Sequence, residues 1–241
     1  MRCKEVGNWH YTNSITFYEA IEAIAKYGFG NNVTNPTDPL FININFKTWG
    51  NSLTVNKCAA IIKDLLSTKL LSNEYSYQGR FASVNLCTVP IVKLLEKIII
   101  MTSGDIVNTD MDELCNLNTA IGGNFRELNY EQVRDTYDAN EITEFSRRNI
   151  TRVIGTFKNR DKENYNFFTP YYLGCQFMCM NYTNPDDTMV AYIKRFSKSS
   201  LILKPLKLRY KPNLIAPPLA QNKVVSFATK QVVTPLYSIS Y

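Results

Sequence analysis

Pro39-Leu40-Phe41-Ile42-Asn43-Ile44-Asn45-Phe46 and Lys97-Ile98-Ile99-Ile100-Met101 are two stretches with the pattern of buried β-strands. Each is short and rich in branched or aromatic residues, and polar turn residues precede the first. Both features are typical of strands that are covered on two faces. We therefore predict one strand over 39–46 and another over 97–101.

Helical patterns alternate with these strands. Thr16 and Glu19 have the spacing of a capping box, and apolar residues then recur at three and four until Gly28, which predicts a helix over 17–27. A second helix is predicted with Thr54 as its N-cap and apolar positions from 55 to 66. This alternation indicates parallel α/β units, and both a doubly wound sheet and a (β/α) barrel fit the pattern.

The rest of the chain has less regular patterns. Residues 102–140 are acidic and carry a glycine turn, so part of this stretch is predicted to be a linker or a long loop. Strand patterns follow at 149–154 and 175–182. The tail over 210–241 has four prolines and no helical period, which predicts an extended arm.

Composition narrows the class of protein. The 241 residues are 45% apolar, no run approaches the roughly 18 apolar residues of a membrane span, and the amino terminus has no signal-peptide pattern. The six cysteines are scattered, so we expect reduced thiols, and a single histidine argues against a Cys/His metal site. These features predict a soluble, cytoplasmic protein with no transmembrane segment.

The net charge of +6 is unevenly distributed. Residues 142–241 hold 15 Lys and Arg against 5 Asp and Glu, whereas residues 1–141 hold 12 against 16. No recognition helix and no interleaved aromatic residues accompany the basic half, so we expect no nucleic-acid binding. Attraction to a membrane would instead depend on this charge and on anionic lipid.

Several segments of the carboxy-terminal half follow one another in a specific order. They are Asn124-Phe125-Arg126-Glu127, Thr151-Arg152-Val153, Asn164-Tyr165-Asn166, Leu173-Gly174-Cys175-Gln176-Phe177, Asn181-Tyr182, Arg195-Phe196, Leu203-Lys204-Pro205 and Leu208-Arg209. In this order they resemble the Y-box of eukaryotic-type phosphoinositide-specific phospholipase C. Three earlier segments resemble the latter part of its X-box, namely Arg2-Cys3-Lys4-Glu5-Val6, Ser14-Ile15-Thr16-Phe17 and the strand over 39–46.

The resemblance implies an α/β fold of a particular kind, a TIM-like (β/α) barrel split into X and Y halves and lacking its first strand or strands. The implied boundaries are a partial X half over 1–101, a short acidic linker over 102–112, a Y half over 113–209 and the tail over 210–241. The implied activity is calcium-dependent hydrolysis of phosphatidylinositol 4,5-bisphosphate to diacylglycerol and inositol trisphosphate, by a protein peripheral at anionic phosphoinositide membranes. Calcium at the strand ends would lower the pKa of the inositol 2-hydroxyl.

Only part of the family's site carries over, residue by residue. Glu5 and Asn45 fall on metal-binding positions, although Asn45 replaces a glutamate. His10 stands on the second catalytic histidine, and Arg152 matches the phosphate-binding arginine. The first catalytic histidine and its neighbouring asparagine would lie on a strand before Met1. A metal-binding Asp, two phosphate-binding Lys, a Ser and a Tyr are replaced here by Gly7, Met101, Ser103, Asn124 and Ile154.

Two functions follow from this comparison of residues. One is an active phospholipase C whose site has been rebuilt with other groups. The other, which the substitutions favour, is a catalytically degenerate barrel that binds anionic phospholipid or a protein partner, with a partner chain or an upstream segment completing the barrel. Each acid or base contributes about 10²- to 10⁴-fold to a rate, so the loss of several predicts little calcium-dependent turnover. An unrelated α/β binding protein is the third alternative.

Overall fold

The computed structural model describes residues 2–3, 15–30, 33–48, 50–155, 163–212 and 230–240. The chain divides into two units, Met1–Tyr210 and Lys211–Tyr241. The strands of the described residues are β1 (Arg2–Cys3), β2 (Ile15–Thr16), β3 (Leu40–Asn45), β4 (Ile98–Ser103), β5 (Leu117–Asn118), β6 (Phe125–Asn129), β7 (Ile150–Ile154), β8 (Phe177–Met178), β9 (Gln231–Val233) and β10 (Ser238–Ser240). The α-helices are α1 (Phe17–Tyr27), α2 (Ser52–Leu66), α3 (Tyr77–Phe81), α4 (Asp110–Leu114), α5 (Tyr130–Arg134), α6 (Ala139–Arg148), α7 (Phe168–Tyr172) and α8 (Asp187–Phe196).

Two three-stranded parallel sheets organise the first unit. The first sheet has the order β3-β4-β5, and the second has the order β6-β7-β8. Strand β3 pairs with β4 along its whole length, so that Asn45 lies opposite Ser103 at their carboxyl ends. The prediction of an α/β protein with parallel strands is confirmed. Among the described residues, no backbone ladder joins the two sheets into a closed barrel.

A shared apolar core holds the two sheets together. Its buried members include residues of both sheets, namely Ile99, Met101, Leu117, Phe125 and Ile150. At the outer strands, the rings of Phe41 on β3 and Phe177 on β8 meet edge to face, with centroids 5.2 Å apart. Because alternate residues of a strand point to the same face, every second residue of these strands faces a common interior.

Helices α1 and α2 cover the other face of the first sheet. Phe17, Ile21, Val55 and Ile62 pack in one cluster with Ile98 and Ile100 of β4. The predicted capping box is confirmed, since the Thr16 hydroxyl accepts from the Glu19 N–H and the Glu19 carboxylate accepts from the Thr16 N–H.

Two predicted boundaries are wrong. Helix α2 begins at Ser52 because Asn51 is its N-cap and accepts a 3.0 Å hydrogen bond from the N–H of Thr54, the residue predicted as the cap. The strand predicted over 175–182 is reduced to β8, since a turn at Asn181, whose side chain accepts from the Thr183 N–H, ends the extended segment. The acidic stretch after 102 contains two strands and two helices.

Residues 102–112, predicted as the linker, include the end of β4 and the buried residues Ile106 and Met111, which belong to the core under α2. In the tail over 210–241, the described residues 230–240 form an antiparallel hairpin of β9 and β10. No helix in the described part of the chain is long and apolar enough to cross a membrane.

Candidate functional site

Polar side chains from four parallel strands form a cluster that includes the carboxyl ends of β3 and β4 and the middle of β6 and β7. Asn45 and Ser103 lie opposite each other on β3 and β4, and Glu127 and Arg152 lie opposite each other on β6 and β7. The Arg152 guanidinium donates from Nη2 to Ser103 Oγ over 3.1 Å, and this hydrogen bond joins the second sheet to the first. The carboxyl ends of parallel strands are where α/β proteins bind ligands, so this cluster is the candidate functional site.

Arg152 is the central residue of the cluster. It is only 6% exposed, forms an ion pair with Glu127 and lies over the ring of Phe125, with 5.6 Å from Cζ to the centroid. Its Nε is buried and has no hydrogen-bond partner in the described part of the chain. A buried guanidinium normally uses its donors, so Nε is an unsatisfied donor within the cluster.

The loop after β4 is held in place beside Ser103. Asn118 donates from Nδ2 to Thr102 Oγ1 over 2.7 Å and to the Gly104 carbonyl over 3.1 Å. Gly104 has φ of +101°, and a Cβ there would lie 3.0 Å from the Phe46 carbonyl oxygen, so glycine is required at this position. The strand end that carries Ser103 is therefore rigidly positioned.

Cys179, directly after β8, completes the surroundings of the ion pair. Burial raises the pKa of its thiol, the positive charge of Arg152 opposes that shift, and the negative charge of Glu127 adds to it. These electrostatic effects place the thiol near both members of the pair. Cys179 itself is exposed, and the raised pKa disfavours its thiolate near neutral pH.

The structure brings together some of the residues predicted from sequence. Arg152 and Asn45 both lie at the cluster, with Asn45 exposed at the end of β3. Glu5, Gly7 and His10 lie outside the described residues.

The substituted positions divide between core and site. Met101 is 1% exposed in the core between the sheets, whereas Ser103 belongs to the cluster. Asn124 precedes β6 and accepts a backbone hydrogen bond from Ile150 at the amino end of β7, away from Arg152.

Sequence reasoning missed the role of Glu127. It was noted only as the last residue of a motif, because its partner Arg152 is 25 residues away and the register of β6 on β7 is what pairs them. Alternation along β6 offered one signal, since Phe125 and Glu127 must face the same side.

The described residues do not fit calcium. Calcium takes six to eight oxygen ligands, usually with several carboxylates. The cluster offers the Asn45 amide, the Ser103 hydroxyl and one carboxylate, Glu127, which Arg152 already engages. No group of three His, Cys, Asp or Glu in the described ranges lies close enough to hold a metal ion.

A small cavity lies at the junction of β5, β6 and α3. It has a volume of about 20 Å³ and is lined in part by Arg80, Asn116, Asn118 and Asn124. This is room for about one water molecule. The cavity therefore does not compete with the Arg152 cluster as a ligand site.

Comparison with solved structures identifies the fold. The first unit is an α/β domain of parallel strands, and the chain is similar to two phospholipase C structures. PLC21 of L. pealei matches with a TM-score of 0.62 and 14% identity over 82% of this chain. PLC21 of S. officinalis matches with a TM-score of 0.62 and 15% identity over 81% of it.

The chain therefore has a phospholipase C-like fold, as the resemblance predicted. It spans 30% of the length of each of these two proteins. No family model matches the sequence, and no curated protein matches it.

Proposed function

We propose that the chain is a phospholipase C-like protein that binds the phosphorylated inositol headgroup of an anionic phospholipid at the Arg152 cluster, with its hydrolytic site depleted. In this proposal the two parallel sheets are the two halves of a TIM-like barrel, and their carboxyl ends form its binding face. The support is a fold shared with phospholipase C and a cluster at the strand ends, where such folds bind substrates.

The observation that carries the proposal is the state of Arg152. Its guanidinium is more than nine-tenths buried, and Nε has no partner among the described residues. Arginine donors match phosphate oxygens in geometry and charge. Beside Arg152, the Glu127 carboxylate accepts hydrogen bonds, and the Asn45 amide both donates and accepts. A ligand that carries phosphate and hydroxyl groups on one ring satisfies all three.

Hydrolysis would need more than this cluster offers. The described residues of the cluster include no histidine, and Met101 and Ser103 provide no cation where the resemblance places two phosphate-binding lysines. The cluster therefore orients a headgroup without a matched acid and base. We expect binding with little turnover.

Titration of soluble inositol 1,4,5-trisphosphate into the full chain tests binding. Arg152→Gln should weaken the affinity by about tenfold to a hundredfold, the value of a charge-assisted hydrogen bond. The matched control is Arg134→Gln, which removes an arginine whose partner Asp135 lies on the surface. Ser103→Ala, which leaves the charge of Arg152 in place, should weaken binding by only a fewfold. Equal affinities for wild type and a folded Arg152→Gln protein would overturn the site.

Release of inositol phosphates from mixed micelles of phosphatidylinositol 4,5-bisphosphate tests turnover. We expect none above background with calcium present. Turnover that is abolished both by EGTA and by His10→Ala would show an active site rebuilt around residues outside the cluster, and would refute the depleted site while leaving headgroup binding in place.

A further inference from the structure

The second unit ends in a short hairpin, here called the C-terminal hairpin and formed by residues 230–240. Strands β9 and β10 pair antiparallel with Val232 opposite Ile239. Thr234 closes the turn: its N–H donates to the Tyr237 carbonyl over 2.8 Å, and its hydroxyl accepts from the Tyr237 N–H over 3.1 Å. Pro235 has no N–H to satisfy. The N–H groups of Thr234 and Tyr237 and the Tyr237 carbonyl are therefore paired within the turn.

The C-terminal hairpin exposes its large apolar side chains to solvent. Leu236 at the tip is 92% exposed, Val233 is 70% exposed and Tyr237 is 55% exposed. Val232 and Ile239, which face each other across the strands, are also exposed. An isolated two-stranded hairpin is at best marginally stable in water. Clustered exposed apolar residues of this kind mark an interaction surface.

The charge of the surrounding sequence indicates which surface covers the hairpin. Within the second unit, Lys211–Tyr241, the chain has three Lys and no Arg, Asp or Glu. The hairpin itself has one charged residue, Lys230, at its base, and the tip is uncharged. Basic residues beside an anionic bilayer each strengthen binding by about fivefold. An uncharged apolar tip within a purely basic segment is complementary to anionic lipid.

We propose that the C-terminal hairpin inserts its Leu236–Tyr237 tip into the interfacial region of an anionic phospholipid bilayer. The three backbone groups that Thr234 and Tyr237 pair within the turn reduce part of the cost of leaving water. Tyr237 suits the interface because its ring is apolar and its hydroxyl reaches the headgroups. This insertion needs no inositol lipid, so it is separate from headgroup binding at Arg152.

Flotation of the full chain with vesicles tests the insertion. On vesicles of phosphatidylcholine and phosphatidylserine in equal parts, Leu236→Ser should lower the partition coefficient by about tenfold, because the variant no longer buries a leucine side chain in the bilayer. The matched control is Leu53→Ser, which removes a leucine of 64% exposure at the start of α2. The control should bind as wild type does. Vesicles of phosphatidylcholine alone should bind all three proteins weakly.

Fluorescence of Leu236→Trp, taken as the difference from wild type because the chain already has Trp9 and Trp49, locates the tip. Its emission should shift to the blue and be quenched by brominated phosphatidylserine vesicles, whereas that of Leu53→Trp should not respond. Two results together would mean that protein, from this chain or a second copy, covers the hairpin. Brominated lipid would fail to quench the added emission of Leu236→Trp, and acrylamide would fail to quench it in the absence of vesicles. That combination, or equal flotation of Leu236→Ser and wild type, overturns the proposal.

Two further results separate this proposal from the proposed function. Leu236→Ser should bind soluble inositol trisphosphate with the affinity of wild type. Soluble inositol trisphosphate should not displace the wild-type chain from vesicles that contain phosphatidylserine and no inositol lipid. Loss of headgroup binding with flotation intact would refute only the Arg152 site, and the reverse would refute only the hairpin.

Discussion

Glu127→Gln tests the electrostatics of the cluster most directly. The Arg152 side chain is 7% exposed and that of Glu127 is 28% exposed, so the arginine charge is buried and relies on the carboxylate. Two unit charges about 3 Å apart attract by about 5 kcal/mol at an effective dielectric constant of 20. Breaking a buried pair from one side costs about 3 to 5 kcal/mol. Because Glu127 retains some exposure and glutamine still accepts a hydrogen bond, we expect a loss of about 3 kcal/mol.

Urea unfolding measures this loss, with Glu141→Gln as the matched control. Glu141 pairs with Arg126 of the same strand β6 at 2.7 Å, but its side chain is 52% exposed. An exposed pair of this kind contributes about 1 kcal/mol or less. The two variants should therefore differ by about 2 kcal/mol in the free energy of unfolding, with unchanged m-values. Equal losses in the two variants would refute the view that the Arg152 charge depends on Glu127.

The same variant should have an opposite effect on binding. Without Glu127, an anionic ligand no longer competes with a carboxylate for the Arg152 donors. We therefore expect Glu127→Gln to bind inositol trisphosphate more tightly, by about tenfold, while being less stable. A variant that lost both stability and affinity would show that Glu127 binds the ligand's hydroxyl groups more strongly than it competes with its phosphates.

Three further predictions concern other parts of the first unit. Hydrogen bonds from the N–H groups of Asn164 and Met189 lower the pKa of Asp186 below 3.8. The charged Asp186 carboxylate therefore stabilises the folded protein fully above pH 3.8, and this stabilisation is lost as the pH falls through the lowered pKa of the folded state. Between pH 6 and pH 3, Asp186→Asn should lose less stability than wild type. In urea unfolding, Gly79→Ala should lower the free energy of unfolding by at least about 2 kcal/mol, because a Cβ at Gly79 would lie 2.0 Å from a backbone oxygen. Gly123→Ala should lower it by about 1 kcal/mol, because Gly123 has φ of +67° but open space around it. Cys175 is buried and its burial raises the pKa of its thiol to about 11, so iodoacetamide at pH 8 should label it only at the rate of unfolding, as peptide mass spectrometry can measure; fast labelling of folded protein would contradict this.

Local sequence signals predicted the helices and strands that depend on local chemistry. The capping box at Thr16 and the branched residues of β3 and β4 are such signals, and the structure has elements at both places. The cap of α2 was placed three residues late because Asn51 and Thr54 are both good N-cap residues. Only the hydrogen bond between them shows that Asn51 accepts and Thr54 donates.

The site was less accessible to sequence reasoning because its contacts are distant in sequence. Arg152 was found through a motif, but its bond to Ser103 spans 49 residues and crosses from one sheet to the other. Such a contact depends on how two sheets pack, which no periodicity encodes. Ser103 was therefore interpreted as a lost lysine, whereas its hydroxyl holds Arg152 in place.

The two positions at which the resemblance places phosphate-binding lysines, 101 and 103, lie in different surroundings. Met101 is fully buried in the core that joins the sheets, so a lysine there would place an unpaired charge among Ile99, Leu117 and Phe125. At 103, a lysine would bring a second cation against the Arg152 guanidinium and remove the hydroxyl that accepts from it.

Both positions are now part of the packing and hydrogen bonding that position Arg152. The residues at the two positions where the resemblance places phosphate-binding lysines thus contribute to the surroundings of Arg152. In the proposed function, this coupling lets the cluster keep Arg152 for an anion without the two lysines.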